Sequence, residues 1–299
     1  MSKKGSKTSK FGTNSRICHD SSSYYNTRLY SELQNNNEHS EIPENKFPQK
    51  LANKIILGNS EDMKDIPDNC IHLMITSPPY NVSKEYDTDM SLEEYLGLLK
   101  NVFSETFRVL VYGGRACINV ANLGRKPYIP ISDYISKIMI DIGYKMRGEI
   151  IWNKSAGAGI SMAWGSWKSA SNPVLRDTHE YILIFTKGSF KRESKGKENT
   201  ITRDQFIEWT KSVWTINPES AKKIGHPAPF PLELPQRLIQ LYSFKNDIIL
   251  DPFMGSGTTA IAAFTSDRKY IGYEIDNNYM RIAEERLKPY KYQGRLVFK

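Results

Sequence analysis

From Leu51 onward the chain alternates short apolar runs with amphipathic stretches, and that alternation limits the folds open to it. "KIILGNS" and "IHLMITS" read as strands, "LEEYLGLLKNVFSETFRVL" as an amphipathic helix and "GRACINVA" as a strand. Next come "ISDYISKIMIDIG" as helix, "EIIWNK" and "EYILIFTK" as strands, and "LELPQRLIQLYS" as helix. "DIILDPF" then reads as strand, "TTAIAAFTS" as helix and "KYIGYEID" as strand. Strands this apolar, interleaved with helices, predict an α/β fold with a mostly parallel, twisted sheet and helices on both faces. Residues 1–50 are rich in Ser, Asn and Lys and are expected to form a polar, partly disordered extension. Residues 51–299 are left as the folded domain.

Charge narrows the partners. Lys and Arg number 41 against 33 acids, a formal net charge of +8, which suits a polyanion such as nucleic acid. Between residues 186 and 225 nine Lys and Arg face five acids. This basic insertion is expected to read DNA, with Lys191, Arg192, Arg203, Gln205 and Lys211 as its contacts. No apolar run approaches the roughly 18 residues of a membrane span. "MSKKGSKTSK" is followed by polar residues where a signal peptide would have an apolar core, so a cytoplasmic protein is expected. Cys18, Cys70 and Cys117 are scattered without metal-ligand spacing; they read as reduced thiols, and no metal is expected.

Two stretches carry chemistry. "DIILDPFMGSGTTAIAAF" is a strand, a turn with Gly255 and Gly257, and a helix opening at Thr258 and Thr259. Such glycines allow a tight turn and close approach of a ligand, while the new helix offers free N–H groups to an anion. No Lys follows the second glycine, so this is not a P-loop. Seventeen residues after Gly257, at the end of "KYIGYEID", stands Glu274, where a ribose would find an acceptor. The other stretch is "MITSPPYNVSKEYD", in which an apolar strand runs directly into two prolines and a tyrosine.

Together, "TSPPY" at Thr76 to Tyr80 and "DPFMGSGTT" at Asp251 to Thr259 resemble the signature motifs of amino-group DNA methyltransferases that use S-adenosyl-L-methionine. The catalytic motif precedes the cofactor motif, which resembles the permuted order of the β class. "HPAPFPLELPQRLIQLYS" resembles the motif preceding the cofactor loop in that class. The resemblance spans roughly residues 51–288 and implies a Rossmann-like methyltransferase fold. It implies cofactor contacts from Asp251, Phe253, Gly255, Ser256, Gly257, Thr258, Thr259 and Glu274, with Asn59 and His226 beside them. Asn59 and Ser60 stand where family members often carry Gly-Asp.

The same resemblance assigns Ser77, Pro78, Pro79 and Tyr80 to the target base. An exocyclic amine is a poor nucleophile because its lone pair is delocalised into the ring, so a site must hold both amine hydrogens and tilt the nitrogen toward the donor. The Ser77 hydroxyl and the Pro78 carbonyl supply two acceptors, the proline pair fixes the backbone, and Tyr80 offers a stacking ring. The base must be flipped from duplex DNA. A serine in the first motif position is typical of cytosine-N4 enzymes; Asp or Asn is commoner in adenine-N6 enzymes, which is the alternative. Cytosine-C5 chemistry is excluded because no cysteine follows a proline. Protection against a cognate restriction endonuclease, and a monomer or homodimer, are expected. A silent nucleic-acid-binding subunit, or RNA or protein glutamine as acceptor, are competing readings. Trp152 reads as a core or cleft-lining aromatic, and the segment from Ser155 to Pro173 is expected to face DNA.

Overall fold

The computed structural model describes residues 25–30, 42–79, 90–154, 165–219 and 230–296. The chain forms two compact units, Met1–Ser40 and Glu41–Lys299. In the first, the described residues form a short helical stretch on which Tyr25 and Tyr30 meet edge to face, ring centroids 5.0 Å apart.

The second unit is built on a sheet of eight strands: β1 (Lys54–Leu57), β2 (Ile71–Thr76), β3 (Leu110–Val120), β6 (Tyr144–Asn153), β7 (His179–Lys187), β8 (Val213–Thr215), β9 (Ile248–Asp251) and β10 (Lys269–Glu274). Their order across the sheet is β1-β10-β9-β2-β3-β7-β6-β8. A small hairpin of β4 (Leu123–Gly124) and β5 (Tyr128–Ile129) stands apart from it. β1, β10, β9, β2 and β3 run parallel; β7 is antiparallel to both β3 and β6, and β8 runs parallel to β6. One edge of the sheet therefore collects the carboxyl ends of every strand except β7.

Two apolar layers hold the sheet. On one face lie α1 (Leu92–Val109) and α2 (Ile131–Ile142), which bury Leu99, Val102, Phe103, Ile135 and Met139 against Met74, Ile118 and Leu250. On the other lie α4 (Glu233–Tyr242), α5 (Thr258–Thr265) and α6 (Asn277–Leu296), with Leu238, Ile239, Ile261 and Leu287 packed on Leu73, Ile75, Cys117 and Ile249. A short helix, α3 (Arg203–Trp209), precedes β8. The six residues of β2 are all buried, as a central strand covered on both faces requires. α1 starts where it does because Ser91 and Glu94 form a reciprocal capping box, with Glu93 and Glu94 in the first turn. Gly143 ends α2 in a left-handed conformation that a side chain would disfavour.

Every strand and helix read from the sequence is present. The structure adds the β4–β5 hairpin, α3, β8 and α6, and it reverses β7 within an otherwise parallel frame. Among the described residues no helix is long and apolar enough to cross a membrane, and no cluster of His, Cys, Asp and Glu could hold a metal ion.

Candidate active site

β2 and β9 are neighbours, so the two sequence motifs leave the sheet side by side. The Thr76 hydroxyl donates to Asp251 Oδ1 at 2.7 Å, and the same oxygen accepts the Phe253 N–H at 3.1 Å. Asp251 is fully buried, and desolvation pushes its carboxyl up to about 6 despite these hydrogen bonds. Ser77 and Pro79, half-buried, and Pro78, buried, follow Thr76 directly. Tyr80 lies outside the described residues, as does His226.

The glycine loop closes against the next strand. Glu274, at the carboxyl end of β10, accepts the Gly255 N–H at 2.7 Å through one oxygen and the Asp276 N–H at 3.0 Å through the other. Burial raises its pKa. Gly257 caps α5 in the left-handed region, φ 79°, and a Cβ there would approach the Ala283 Cβ to 2.8 Å. Among the described residues no side chain caps the N–H groups opening α5. Arg286, reaching in from α6, donates to the Ser256 carbonyl at 2.5 Å, the Ser256 hydroxyl at 2.8 Å and the Thr258 hydroxyl at 3.1 Å. A cation thus braces the same turn. Asp251, Phe253, Gly255, Ser256, Gly257, Thr258, Thr259 and Glu274 are brought together at the carboxyl edge. Asn59 follows β1 at that edge, next to Gly58, whose N–H donates to the Glu274 carbonyl. Its side-chain amide is closed onto Glu61, at 2.8 and 2.9 Å.

Farther along the same edge, Lys154 Nζ lies 2.6 Å from Glu180 Oε1, and Asn119 Nδ2 donates to Glu180 Oε2 at 2.7 Å. Trp152 is buried and donates its indole N–H to the Ile216 carbonyl at 2.9 Å. The part of the Ser155–Pro173 stretch that falls at 155–164 is outside the described residues. From Gly165 the chain is exposed, with Lys168 over the Trp167 ring at 5.6 Å. Thr76, Asn119, Lys154, Glu180 and Arg286 are polar groups of this edge that the sequence reading did not single out. A polar residue at the last positions of an apolar strand was the available signal for Thr76 and Asn119.

The basic insertion divides into two regions. Its first part lies at the opposite edge of the sheet, where the carboxyl end of antiparallel β7 delivers it. There Lys187 is buried, its ammonium within 2.8 Å of Asn69 Oδ1 and the Phe107 and Leu110 carbonyls, and burial lowers its pKa to about 8. Arg192 makes two bonds, at 2.5 and 2.9 Å, to Asp247, which is fully buried; desolvation is the largest single influence on its carboxyl and raises it, but the Arg192 bonds and the surrounding positive charge together hold it near 2. Lys197 adds bonds to Asp247 at 3.0 Å and to Glu44 at 3.2 Å, and Glu44 meets His72 Nε2 at 2.7 Å. His72 Nδ1 accepts the Ile248 N–H, so its proton sits on Nε2, toward Glu44. The expectation that Arg192 contacts DNA is therefore corrected: a buried carboxylate at the start of β9 requires a cation, and Arg192 is committed to it. Neighbouring Lys191 pairs with Glu193 on that far edge, away from Ser77 and Glu274.

Arg203, Gln205 and Lys211 belong to the second part, on α3 and the turn into β8, which borders β6. Gln205 completes a capping box with Thr202, Arg203 is exposed near Asp204, and Lys211 pairs with Glu208.

The comparisons with known proteins agree on this architecture. A family model described as "DNA methylase" matches residues 71–285. Type II methyltransferase M.MthZI of Methanothermobacter thermautotrophicus is 33% identical over 274 residues, covering 80% of this chain and 77% of its own. M.MjaI of Methanocaldococcus jannaschii, also a Type II methyltransferase, is 32% identical over 279 residues, covering 78% and 90%. The solved structure of a DNA modification methylase from Thermus thermophilus, complexed with S-adenosyl-L-methionine, superposes with a TM-score of 0.64 at 28% identity, covering 79% of this chain and 93% of that one.

Proposed function

The chain belongs to the amino-group DNA methylase family, and from that premise we propose that it methylates the exocyclic N4 amine of cytosine within a specific duplex DNA sequence. Its methyl donor is S-adenosyl-L-methionine, which supplies an electrophilic methyl group on a sulfonium. The residues at the carboxyl edge fit that donor. Glu274 is a carboxylate held by two backbone N–H groups with lone pairs left for two ribose hydroxyls. The uncapped start of α5, with the Arg286 guanidinium beside it, suits the methionine carboxylate.

The cytosine reading rests on Ser77 itself, since a serine at the head of this motif is typical of the cytosine-N4 members of the family. Ser77 and the Pro78 carbonyl offer neutral acceptors, and the motif itself contains no carboxylate. These groups hold the two amine hydrogens so that the nitrogen lone pair is turned out of the ring toward the methyl carbon. As the N–C bond forms and the C–S bond breaks, the nitrogen sheds one proton to solvent or through the serine. Cysteine chemistry has no support among the described residues: Cys70 and Cys117 are buried, with thiols pushed up to about 12.

The target base is flipped into the crevice, since an amine inside a duplex is out of reach. Sequence reading is assigned to exposed side chains of the second part of the insertion, Arg203 and Lys211 among them. Protection of DNA from a cognate endonuclease is the role in which such a modification serves, and the curated relatives are Type II methyltransferases. The test is sequencing of DNA from a host expressing the chain by a method that separates N4-methylcytosine from N6-methyladenine. N4-methylcytosine in one recurring context is the expected result. Methylated adenine overturns the base assignment and leaves the amine chemistry standing.

A further inference from the structure

β2 and β3 are parallel neighbours in which Ile75 pairs with Cys117 and Thr76 with Ile118, so Ser77 and Asn119 are the next residues abreast. Ile75 and Cys117 both face the layer covered by α4 and α5, and alternation returns Ser77 and Asn119 to that same face. Asn119 is 3% exposed. Its orientation is forced: a carboxylate only accepts, so the amide nitrogen must face Glu180, and Lys154 fixes Glu180 from its other oxygen. Oδ1 is thereby turned away from Glu180, and among the described residues it is buried without a hydrogen-bond partner. A buried carbonyl left unsatisfied is costly, and such groups are uncommon.

The Ser77 hydroxyl is not hydrogen-bonded to Asn119 Oδ1 in this structure. We propose that Asn119 is a positioning residue for Ser77, its Oδ1 taking up the Ser77 hydroxyl proton when the serine oxygen receives a hydrogen of the target amine. This inference rests on the assignment of Ser77 to the amine. A hydroxyl has one proton and two lone pairs, and it serves the base as an acceptor only when its proton has somewhere else to go. A carboxylate in that position would need no such neighbour. The chain Lys154, Glu180, Asn119, Ser77 therefore fixes the direction of one hydroxyl through three charged or polar side chains.

The experiment is a double-mutant cycle on turnover, with affinity for S-adenosyl-L-methionine and thermal midpoint measured alongside. Asn119→Ala lowers kcat roughly 10- to 100-fold with cofactor affinity within about twofold of native, the scale of one lost hydrogen bond behind the group that touches the base. In the Ser77→Ala background the same change has an effect of less than about threefold, because its target is gone. Additive losses overturn the inference while the reading of Ser77 stands; native turnover in Ser77→Ala overturns that reading itself. The exchanged pair, Asn119→Asp with Glu180→Gln, restores a donor facing an acceptor and keeps Oδ1 in place. It recovers most of the lost turnover, and a pair that binds cofactor normally yet stays as slow as Asn119→Ala overturns the proposal even if the alanine variant fails to fold.

Discussion

The Thr76 hydroxyl and Asp251 Oδ1, 175 residues apart in the chain, lie 2.7 Å from each other at the carboxyl edge of the sheet. This bond ties the strand that presents Ser77 to the strand that opens the glycine loop. Asp251 is nonetheless a carboxylate out of contact with solvent, and its titration becomes a measure of how dry that junction is.

Burial raises Asp251 to about 6. A folded-state pKa above the unfolded value of 3.8 means that the native state binds the proton more tightly. The group's contribution to stability is then fully present below about pH 4 and lost as pH rises through about 6. Asp251→Asn removes this dependence. Relative to the parent, the variant should gain on the order of 2–3 kcal/mol in unfolding free energy between pH 4 and pH 7. Denaturant titrations at the two pH values measure it, and a difference that does not change with pH would show an ordinary carboxylate.

Glu274 has two tasks that substitution separates. Glu274→Ala should weaken S-adenosyl-L-methionine binding at least roughly tenfold, the scale of a lost charge-assisted hydrogen bond. Glu274→Gln keeps an acceptor for the Gly255 N–H and should fall between. Calorimetry decides: native affinity in the alanine variant would remove the ribose from Glu274.

Ser77→Ala and Tyr80→Ala should lower turnover by roughly 10²- to 10³-fold while cofactor affinity stays near native, since both are assigned to the base and neither to the donor. Parallel losses in turnover and in cofactor binding would place the base elsewhere in the crevice.

The far edge makes a contrasting case. Arg192→Ala strands the buried Asp247 carboxylate and should cost about 3–5 kcal/mol of stability, while the folded fraction binds DNA as before. Arg203→Ala or Lys211→Ala should leave stability within about 0.5 kcal/mol and relax discrimination at one base position by about 1–3 kcal/mol. Binding titrations on the recognised site and on single-base variants of it, paired with thermal melts, distinguish the two behaviours.

The glycine loop, Glu274 and the proline motif were legible because each is a short, local pattern in which strand end, turn residue and polar tip follow within a few positions. The His72 cluster was not, because Glu44, His72, Lys197 and Asp247 are spread over two hundred residues and only the folded sheet makes them neighbours. The basic insertion misled in part for the same reason: a count of cations does not show that Arg192 has a buried partner. α6 was missed because it is mostly polar and carries Pro289 within it. The antiparallel direction of β7 leaves no mark on a strand's composition, and that direction sends the insertion to the edge opposite the crevice.

The seating of β9 between β2 and β10 also fixes when the enzyme can begin to work. A nascent chain that has emerged from the ribosome as far as β8 already contains Ser77 and most of the sheet. It still lacks the strand that lies against β2 and every group of the glycine loop. Pairing across so long a separation is slow relative to local folding. Products of premature termination will therefore carry the proline motif without the glycine loop, and a host cell gains methylation only from chains that have been read through to Glu274.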